Sequence, residues 1–443
     1  MLRGQRALVI GLAREGIDLT KFLAVHGASV RVTDQKTRDQ LREACAQVEG
    51  DGVELRLGGH DVRDLDAIDV VYASPGVPPE HPLLQAARQK DIRQSSLVEL
   101  FFALCPAPIV GITGSAGKST TTSLIGEMFQ KAERDVFVGG NIGRPLLGKL
   151  EKMSERSRVV IELSSFQLEP LRSSPHIAVV TNVTPNHLDR HPTMEAYWAA
   201  KGQILAHQSP NDWAVLNADD PWTLRYQANG RVLRFSLEGT VEGAYLAGDK
   251  LMLLGEPLLT ADQVPLRGRH NLANVLAAMA AAQAADIPHS AMLAAIRTFQ
   301  GVPHRLQTVA EHDGVSYVDD SIATAPERSI AALRAYYEPL VLIAGGRDKH
   351  LPMDDWAELI VKRVKHVVLL GEMSELVTHA LTRADPGYQS VSKAASMVEA
   401  VRQASKVAQQ GDVVLLSPGG TSYDMYQDFE QRGDDFARAA RQL

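Results

Sequence analysis

Thr113-Gly114-Ser115-Ala116-Gly117-Lys118-Ser119-Thr120 is the segment whose residue types and spacing most directly imply chemistry. An apolar run at 108–112 precedes it and reads as a strand; residues 121–129 follow it and read as a helix. Strand, Gly-rich turn, Lys-Ser, then helix is an arrangement that holds nucleotide phosphates. Small residues leave backbone N–H groups aimed at phosphate oxygens, and the helix N-terminus adds partial positive charge. Lys118 supplies a full charge, and Ser119 or Thr120 offers a hydroxyl to Mg²⁺. The spacing is not the strict Walker one. Ile112 stands where that motif needs glycine, and the glycines are Gly111 and Gly114. On the octapeptide alone, a plain glycine turn with a solvated lysine competes with phosphate binding.

Three further positions carry side chains of the right type. Glu162 lies in the apolar run 158–165, toward the C-terminal end of a strand, where ligands bind in open parallel sheets. A carboxylate there suits a Mg²⁺ that bridges nucleotide phosphates; capping the next helix is the alternative. His187 sits in the loop 183–191 after another strand and is a candidate metal ligand through a neutral imidazole nitrogen. Lys201 lies in a stretch of helical pattern and, taken singly, reads as a solvated surface lysine.

The elements that must position these groups fall into three blocks. The first opens with the strand 6–11, a turn, and a helix to about His26, followed by strands at 29–34 and 70–76. Strands alternating with helical stretches imply a parallel sheet with crossover helices. Its turn, Gly11-Leu12-Ala13-Arg14-Glu15-Gly16, is a degraded dinucleotide fingerprint. Ala13 replaces the glycine that lets a pyrophosphate approach the backbone, which weakens a nicotinamide-dinucleotide reading. Asp34 ends the second strand, where such folds hold a ribose or base. The second block begins near Leu97 and carries the phosphate loop, with later strands at 158–165, 177–182 and 213–217. A small antiparallel sheet is expected within 231–268, then an Ala-rich helix over 272–285. The third block starts near Pro303, with strands at 315–318, 340–344, 366–370 and 413–416, another open α/β sheet.

Composition narrows the class. The 443 residues suffice for several domains, and 45% hydrophobic with 22% charged residues is ordinary for a globular chain. The formal charge of −7 argues against nucleic-acid binding, which favours a basic face. Two cysteines, Cys45 and Cys105, suggest reduced thiols and not a disulfide framework or zinc site. The apolar start, residues 7–10, is too short for a signal-peptide core, and 272–285 is too short and too polar to span a membrane. The expectation is a cytoplasmic protein without a membrane span.

Taken together, these residues resemble the Mur ligase family, the ATP-dependent amide-forming enzymes of peptidoglycan precursor synthesis. The matching pieces are 113–120, Gly139-Gly140-Asn141-Ile142-Gly143, Glu162-Leu163-Ser164-Ser165-Phe166-Gln167, 182–189, Lys201, His270-Asn271 and Pro303-His304-Arg305. The family's own loop spacing, Thr-Gly-x-x-Gly-Lys-Ser, accounts for Ile112. Within the family the chain looks most like the member that adds glutamate to UDP-N-acetylmuramoyl-L-alanine. Asp319-Asp320-Ser321 and the tail Phe429-Glu430-Gln431-Arg432-Gly433 fit that member as well.

The resemblance implies three α/β domains. An N-terminal Rossmann-like domain (1–94) would bind the UDP-substrate through Leu12, Ala13, Arg14, Glu15, Gly16, Asp34, Ser74 and Gly76, with Asn141 touching the muramoyl part. A central P-loop ATPase domain (95–302), a mainly parallel sheet plus the small antiparallel one, would bind ATP through Gly114, Ser115, Ala116, Gly117, Lys118, Ser119, Thr120 and Asn274. A C-terminal Rossmann-like domain (303–443) would add Arg305 and Asp320 to the ATP contacts. It would bind the amino acid through Thr324, Lys349, Ser417 and Tyr426, closing on substrates in motion. The implied catalytic set is Lys118, Glu162, His187 and Lys201. Two Mg²⁺ ions are implied, one on Ser119 or Thr120 with Glu162, the second on His187 and Lys201. Lys201 matches the family's carbamylated lysine; as an ammonium it could not bind a cation. The implied reaction is phosphorylation of the alanyl carboxylate by ATP to an acyl phosphate, then attack by the glutamate amine. The implied protein is a monomer acting on small molecules.

The third block departs from the pattern at Ile322, where a lysine is usual, and at Ala325, where an asparagine is. Gly419 and Gly420 stand in a stretch that usually reads Ala-Cys-Ala, and Tyr426 replaces a phenylalanine. These changes cluster at the expected amino-acid pocket. D-glutamate is the favoured amino acid, and the L isomer stays open. A folylpolyglutamate-synthase-like ligase shares the loop but lacks a separate N-terminal domain like residues 1–94. A nucleotide-dependent regulator without ligase activity is the remaining class; no Asn-Lys-x-Asp guanine signature is present.

Overall fold

The computed structural model describes all residues except 1, 51, 142–144, 186–189, 267 and 350. The chain divides into two compact units, Met1–Phe299 and Gln300–Leu443.

The first unit holds two sheets. One is wholly parallel, in the order β3-β2-β1-β4-β5, from β1 (Arg6–Ile10), β2 (Ser29–Asp34), β3 (Val53–Leu57), β4 (Val70–Ala73) and β5 (Arg93–Ser95). The strand order reverses between β1 and β4, so their C-terminal ends flank the crevice that such sheets use for ligands. The helix Arg14–Val25 packs Leu19, Phe22 and Leu23 onto the face that carries Ala7, Val9, Val30 and Val32.

The second sheet has nine strands: β6 (Ile109–Thr113), β7 (Val136–Gly140), β8 (Arg158–Glu162), β9 (Ile177–Val180), β10 (Trp213–Asn217), β11 (Arg231–Ser236), β12 (Gly243–Ala247), β13 (Lys250–Leu253) and β14 (Glu256–Thr260). Their order is β14-β13-β12-β11-β10-β9-β6-β8-β7. The small antiparallel sheet expected within 231–268 is met only in part: β11 pairs parallel with β10 and β12, and β12, β13 and β14 form an antiparallel edge of the main sheet. Every residue of β6 and β9 is buried. Helices cover both faces, which is why these strands read as unbroken apolar runs and not as alternation. On one face lie the helices Lys118–Lys131 and Arg269–Ala284; on the other, Met194–Ala206 contributes Tyr197, Ile204 and Leu205. The Ala-rich stretch is this buried helix, with Ala277, Ala278, Ala280, Ala281 and Ala282 fully enclosed. Among the described residues no helix is long and apolar enough to cross a membrane.

The second unit carries a six-stranded sheet, ordered β15-β16-β20-β17-β18-β19. Its strands are β15 (Gln307–His312), β16 (Val315–Asp319), β17 (Leu340–Gly345), β18 (Val364–Leu370), β19 (Val391–Ala394) and β20 (Val413–Gly419). Only the β15–β16 pair is antiparallel. The last strand in sequence, β20, inserts at the centre, so the C-terminal ends of β16, β20 and β17 lie side by side.

Two of the sequence departures have local structural readings here. Gly419 has φ +70°, and a Cβ on it would stand 2.6 Å from the ring of buried Trp356. A Cβ on Gly420 would meet Met373 Sδ at 2.3 Å. The two glycines are therefore what this packing requires. Ala325 is the N-cap of the helix Pro326–Arg334 and offers no side-chain cap. Asn is a strong N-cap residue and Ala a poor one. Ala325→Asn should accordingly stabilise the second unit by about 1 kcal/mol, read as a raised urea midpoint at unchanged m-value. A lowered midpoint would show that the extended Ala325 backbone cannot accept a capping side chain.

Candidate active site

The strand order of the nine-stranded sheet reverses between β6 and β9, and the loops leaving these two strands interlock. Gly114 has φ +149°, and a Cβ there would stand 1.9 Å from Thr181 Oγ1. Ser115 N donates to Asn182 O at 2.9 Å, and Ala116 N donates to Asn182 Oδ1 at 2.9 Å. Thr181 Oγ1 donates to Ala116 O at 2.6 Å. Gly117 opens the helix Lys118–Lys131 in the left-handed region, and a Cβ on it would strike Asn274 Oδ1 at 2.1 Å. Asn274, expected at the nucleotide, therefore abuts the phosphate loop, and it donates to Asn271 Oδ1 at 3.1 Å. The turn thus needs glycine at both 114 and 117, and its shape is set by contacts from β9 and from a distant helix.

Two lysines converge on this loop. Lys118 Nζ donates to Gly114 O at 3.0 Å and to Ser115 O at 3.3 Å. Lys201 Nζ donates to the same Gly114 O at 2.8 Å. Lys201 is 1% exposed, not a solvated surface lysine, and its Nζ lies 4.5 Å from the centre of the Tyr197 ring. Tyr197 lies one helical turn before it and receives a hydrogen bond from Ser115 Oγ at 3.2 Å. Burial, and then the Lys118 ammonium, push Lys201 well below the usual lysine range; Glu162 pulls the other way.

Glu162 ends β8, paired with Ile112 of β6 on one side and Gly140 of β7 on the other. β8 stops there, short of the expected Ser165, because Ser164 and Gln167 form a capping box for the short helix Ser165–Leu168. Glu162 is 2% exposed. Its Oε1 accepts from Asn141 Nδ2 at 2.9 Å, and Oε2 is buried with no hydrogen-bond partner among the described residues. Ser119 and Thr120 are buried at the start of the loop's helix. His187 lies outside the described residues.

The first sheet's crevice is built in the same manner. Leu12 N donates to Asp34 Oδ2 at 2.7 Å, and Ser74 Oγ donates to Gly11 O at 3.1 Å. Gly16 permits the first helical turn, since a Cβ there would stand 1.9 Å from Gly11 O. Ala13 is the N-cap position of the helix Arg14–Val25, and Gly76 stands in open space. The loop reaches the nine-stranded sheet. Arg14 donates to Asn141 O at 3.3 Å, and Gln167 Nε2 donates to Glu15 Oε1 at 2.6 Å. Burial raises the Glu15 carboxyl above its ordinary pKa.

In the second unit, Asp320 leaves the end of β16. It accepts from Ser417 Oγ at 2.9 Å and from Leu306 N at 3.3 Å. Burial pushes its pKa up to about 7. Ser417 is fully buried, so its hydroxyl is directed at Asp320. Lys349 Nζ donates to Thr324 Oγ1 at 3.2 Å, which brings those two expected residues together. Tyr426 OH donates to Asp435 Oδ2 at 2.9 Å and the ring lines a small cavity with Arg432 and Asp424. Arg305 sits between His304 and Leu306, both with positive φ, and His304 Nδ1 is paired with Asp319 at 2.7 Å. Arg432, buried, donates to Ser321 Oγ at 3.0 Å and Gly420 O at 3.1 Å.

Residue-type reasoning left Asn182, Thr181 and Tyr197 without roles, although all three shape the loop. The signal available was Thr-Asn directly after an apolar strand; nothing local marks Tyr197.

Three family profiles cover most of the chain. A MurD-like N-terminal domain of Mur ligases matches residues 5–95, a Mur ligase middle domain 112–282, and a Mur ligase glutamate ligase domain 304–420. The chain is 42% identical over 442 residues to the UDP-N-acetylmuramoylalanine–D-glutamate ligase of Symbiobacterium thermophilum, covering 98% of this chain and 97% of that protein. It is 42% identical over 458 residues to the ligase of the same name from Roseiflexus sp., covering 99% and 98%. The crystal structure of UDP-N-acetylmuramate-alanine ligase from Thermotoga maritima superimposes with a TM-score of 0.58 at 17% identity, covering 99% of both chains, which shows a shared fold. With three profiles in order and relatives of this identity along its whole length, the chain belongs to the Mur ligase family.

Proposed function

We propose that the protein is an ATP-dependent, ADP-forming ligase that joins D-glutamate to the alanyl carboxylate of UDP-N-acetylmuramoyl-L-alanine. The observation that carries this reading is the pairing of a phosphate loop with a second, buried lysine and a half-satisfied carboxylate at one strand-order reversal. The full-length relatives named for this reaction support it.

On this reading residues 1–94 hold the UDP-substrate, 95–302 the ATP, and 303–443 the amino acid. The chemistry must bring a carboxylate to a triphosphate, two anions that repel. The loop amides from Gly114 to Thr120 and the Lys118 ammonium hold the phosphates and stabilise charge on the transferring group. Asn274, Arg305 and Asp320 contact the nucleotide. Leu12, Ala13, Arg14, Glu15, Gly16, Asp34, Ser74 and Gly76 serve the UDP-substrate, a set to which the family resemblance adds Asn141; Thr324, Lys349, Ser417 and Tyr426 serve glutamate. The alanyl carboxylate becomes an acyl phosphate. The glutamate amine attacks its carbonyl, phosphate leaves, and an amide remains.

The donors present fit a divalent cation at Glu162: a buried carboxylate oxygen without a hydrogen-bond partner among the described residues is an oxygen donor suited to Mg²⁺, and Ser119 and Thr120 open the loop helix with further hydroxyls. Glu162 with Ser119 or Thr120 would hold one Mg²⁺, and His187 with carbamylated Lys201 a second. Bound there, the cations supply charge neutralisation along the phosphates. Carbamylation needs a neutral amine, and the low Lys201 pKa supplies one. The amine adds to CO₂, a C–N bond forms, one proton is released, and an anionic oxygen donor results. The enzyme would work as a cytoplasmic monomer.

Incubation with ATP, Mg²⁺, UDP-N-acetylmuramoyl-L-alanine and each glutamate isomer tests the reading directly. ADP and ligated product should form with D-glutamate. Phosphate release that needs neither acceptor would sink it, and product with L-glutamate alone would reassign the isomer. Lys118→Ala should lower kcat by about 10²–10³-fold and leave UDP-substrate affinity nearly intact in a calorimetric titration. Lys201→Ala should lose most turnover, and added bicarbonate should not restore it. Normal turnover by that variant would remove the carbamate from the mechanism.

A further inference from the structure

β7 ends in Gly139-Gly140, and Gly140 turns the chain with φ +99°. A Cβ on Gly140 would lie 2.4 Å from the Glu162 carbonyl oxygen and 2.6 Å from Ile161 Cγ1. Only glycine lets the chain cross the end of β8 this closely. The crossing delivers Asn141 onto Glu162 twice. Its backbone N–H donates to Glu162 O at 2.9 Å, and its side-chain Nδ2 donates to Glu162 Oε1 at 2.9 Å. From the other side, Arg14 donates to the Asn141 carbonyl at 3.3 Å.

The two oxygens of the Glu162 carboxylate are consequently unequal. Oε1 is fixed by the Asn141 amide. Oε2 is buried and has no hydrogen-bond partner among the described residues. A buried carboxylate oxygen in that condition is costly unless a cation satisfies it. We propose that Asn141 is a positioning residue for the nucleotide's divalent cation: by holding Oε1 it fixes the carboxylate plane and presents Oε2 to the metal. This rests on the reading of Glu162 as a ligand of that cation. Outer partners of metal-binding carboxylates commonly have this role. The family resemblance places Asn141 at the muramoyl substrate. The two roles differ in which ligand suffers when the amide is removed.

The test is Mn²⁺ binding in the presence of ADP, followed by electron paramagnetic resonance, beside calorimetric titration of UDP-N-acetylmuramoyl-L-alanine. Asn141→Ala should weaken Mn²⁺ binding by about tenfold and leave UDP-substrate affinity within about twofold. Asn141→Ser, whose hydroxyl is too short to reach Oε1, should show the same loss and serves if the alanine variant folds poorly. In a Glu162→Gln background, removing the Asn141 amide should add less than about twofold, since its effect runs through the carboxylate. Loss of UDP-substrate affinity with Mn²⁺ binding unchanged would overturn the proposal, as would a full tenfold loss in the Gln background. Absence of Mn²⁺ uptake by the unmodified protein with ADP would instead sink the nucleotide–cation reading itself.

Discussion

Two ammonium groups share one carbonyl oxygen, that of Gly114, and one of them is out of water. Charges of like sign repel, and burial removes the solvent that would screen them. Such an arrangement is tolerable only if one lysine surrenders its proton or if anions collect around the pair. Here both routes are prepared. Lys201 has its pKa driven down, and Glu162 lies close enough to oppose the shift. A triphosphate on the loop would complete the compensation. The local charge of the site is therefore set by Lys118, Lys201 and Glu162 together and not by the overall composition of a chain of net charge −7.

The sheets explain how the pair comes together. Lys118 opens the helix that follows β6, whereas Lys201 lies in the helix after β9, 83 residues on by their numbers in the chain. Because β6 and β9 are neighbours at the strand-order reversal, both loops leave the same edge of the sheet. Thr181 and Asn182 then tie the β9 loop to the phosphate loop by hydrogen bonds to Ala116. Gly114 and Gly117 remove the Cβ atoms that would hold the two apart. The first sheet repeats the device on a smaller scale, with Gly11, Ser74 and Asp34 closing the β1 loop.

Much of this was legible from residues alone, and what escaped did so for a shared reason. The strands readable in the sequence are central ones such as β6, β9, β17 and β20, whose burial on both faces forces continuous apolar runs. Five strands left unread, β3, β5, β7, β15 and β19, all lie at sheet edges. Val-Glu-Leu-Arg-Leu in β3 and Arg-Gln-Ser in β5 keep polar residues because one side of an edge strand meets solvent. The site divides in the same way. Lys118 and Glu162 stand in patterns that imply their chemistry, while the burial of Lys201 depends on a contact with Gly114, 87 residues away. No local pattern encodes that.

The departures in the second unit look different once their surroundings are known. Gly419 and Gly420 make room for Trp356 and Met373, so they answer to packing on the sheet and not to a change of substrate. Ala325 forgoes a helix cap, a stability matter. Thr324 and Lys349 still meet each other. What is left of the case for a different amino acid is Ile322, whose backbone N–H is held by the His304 carbonyl at 3.2 Å. Its side chain removes one cation from the turn after β16. Lys349 remains as a cation beside Thr324, whereas the buried Arg432 spends its guanidinium on Ser321 of that same turn and on Gly420. A dicarboxylic amino acid of either hand needs two cationic or amide-lined sites. On the proposed reading, the geometry of the Thr324–Lys349 pair, more than the missing lysine, bears on which isomer is accepted.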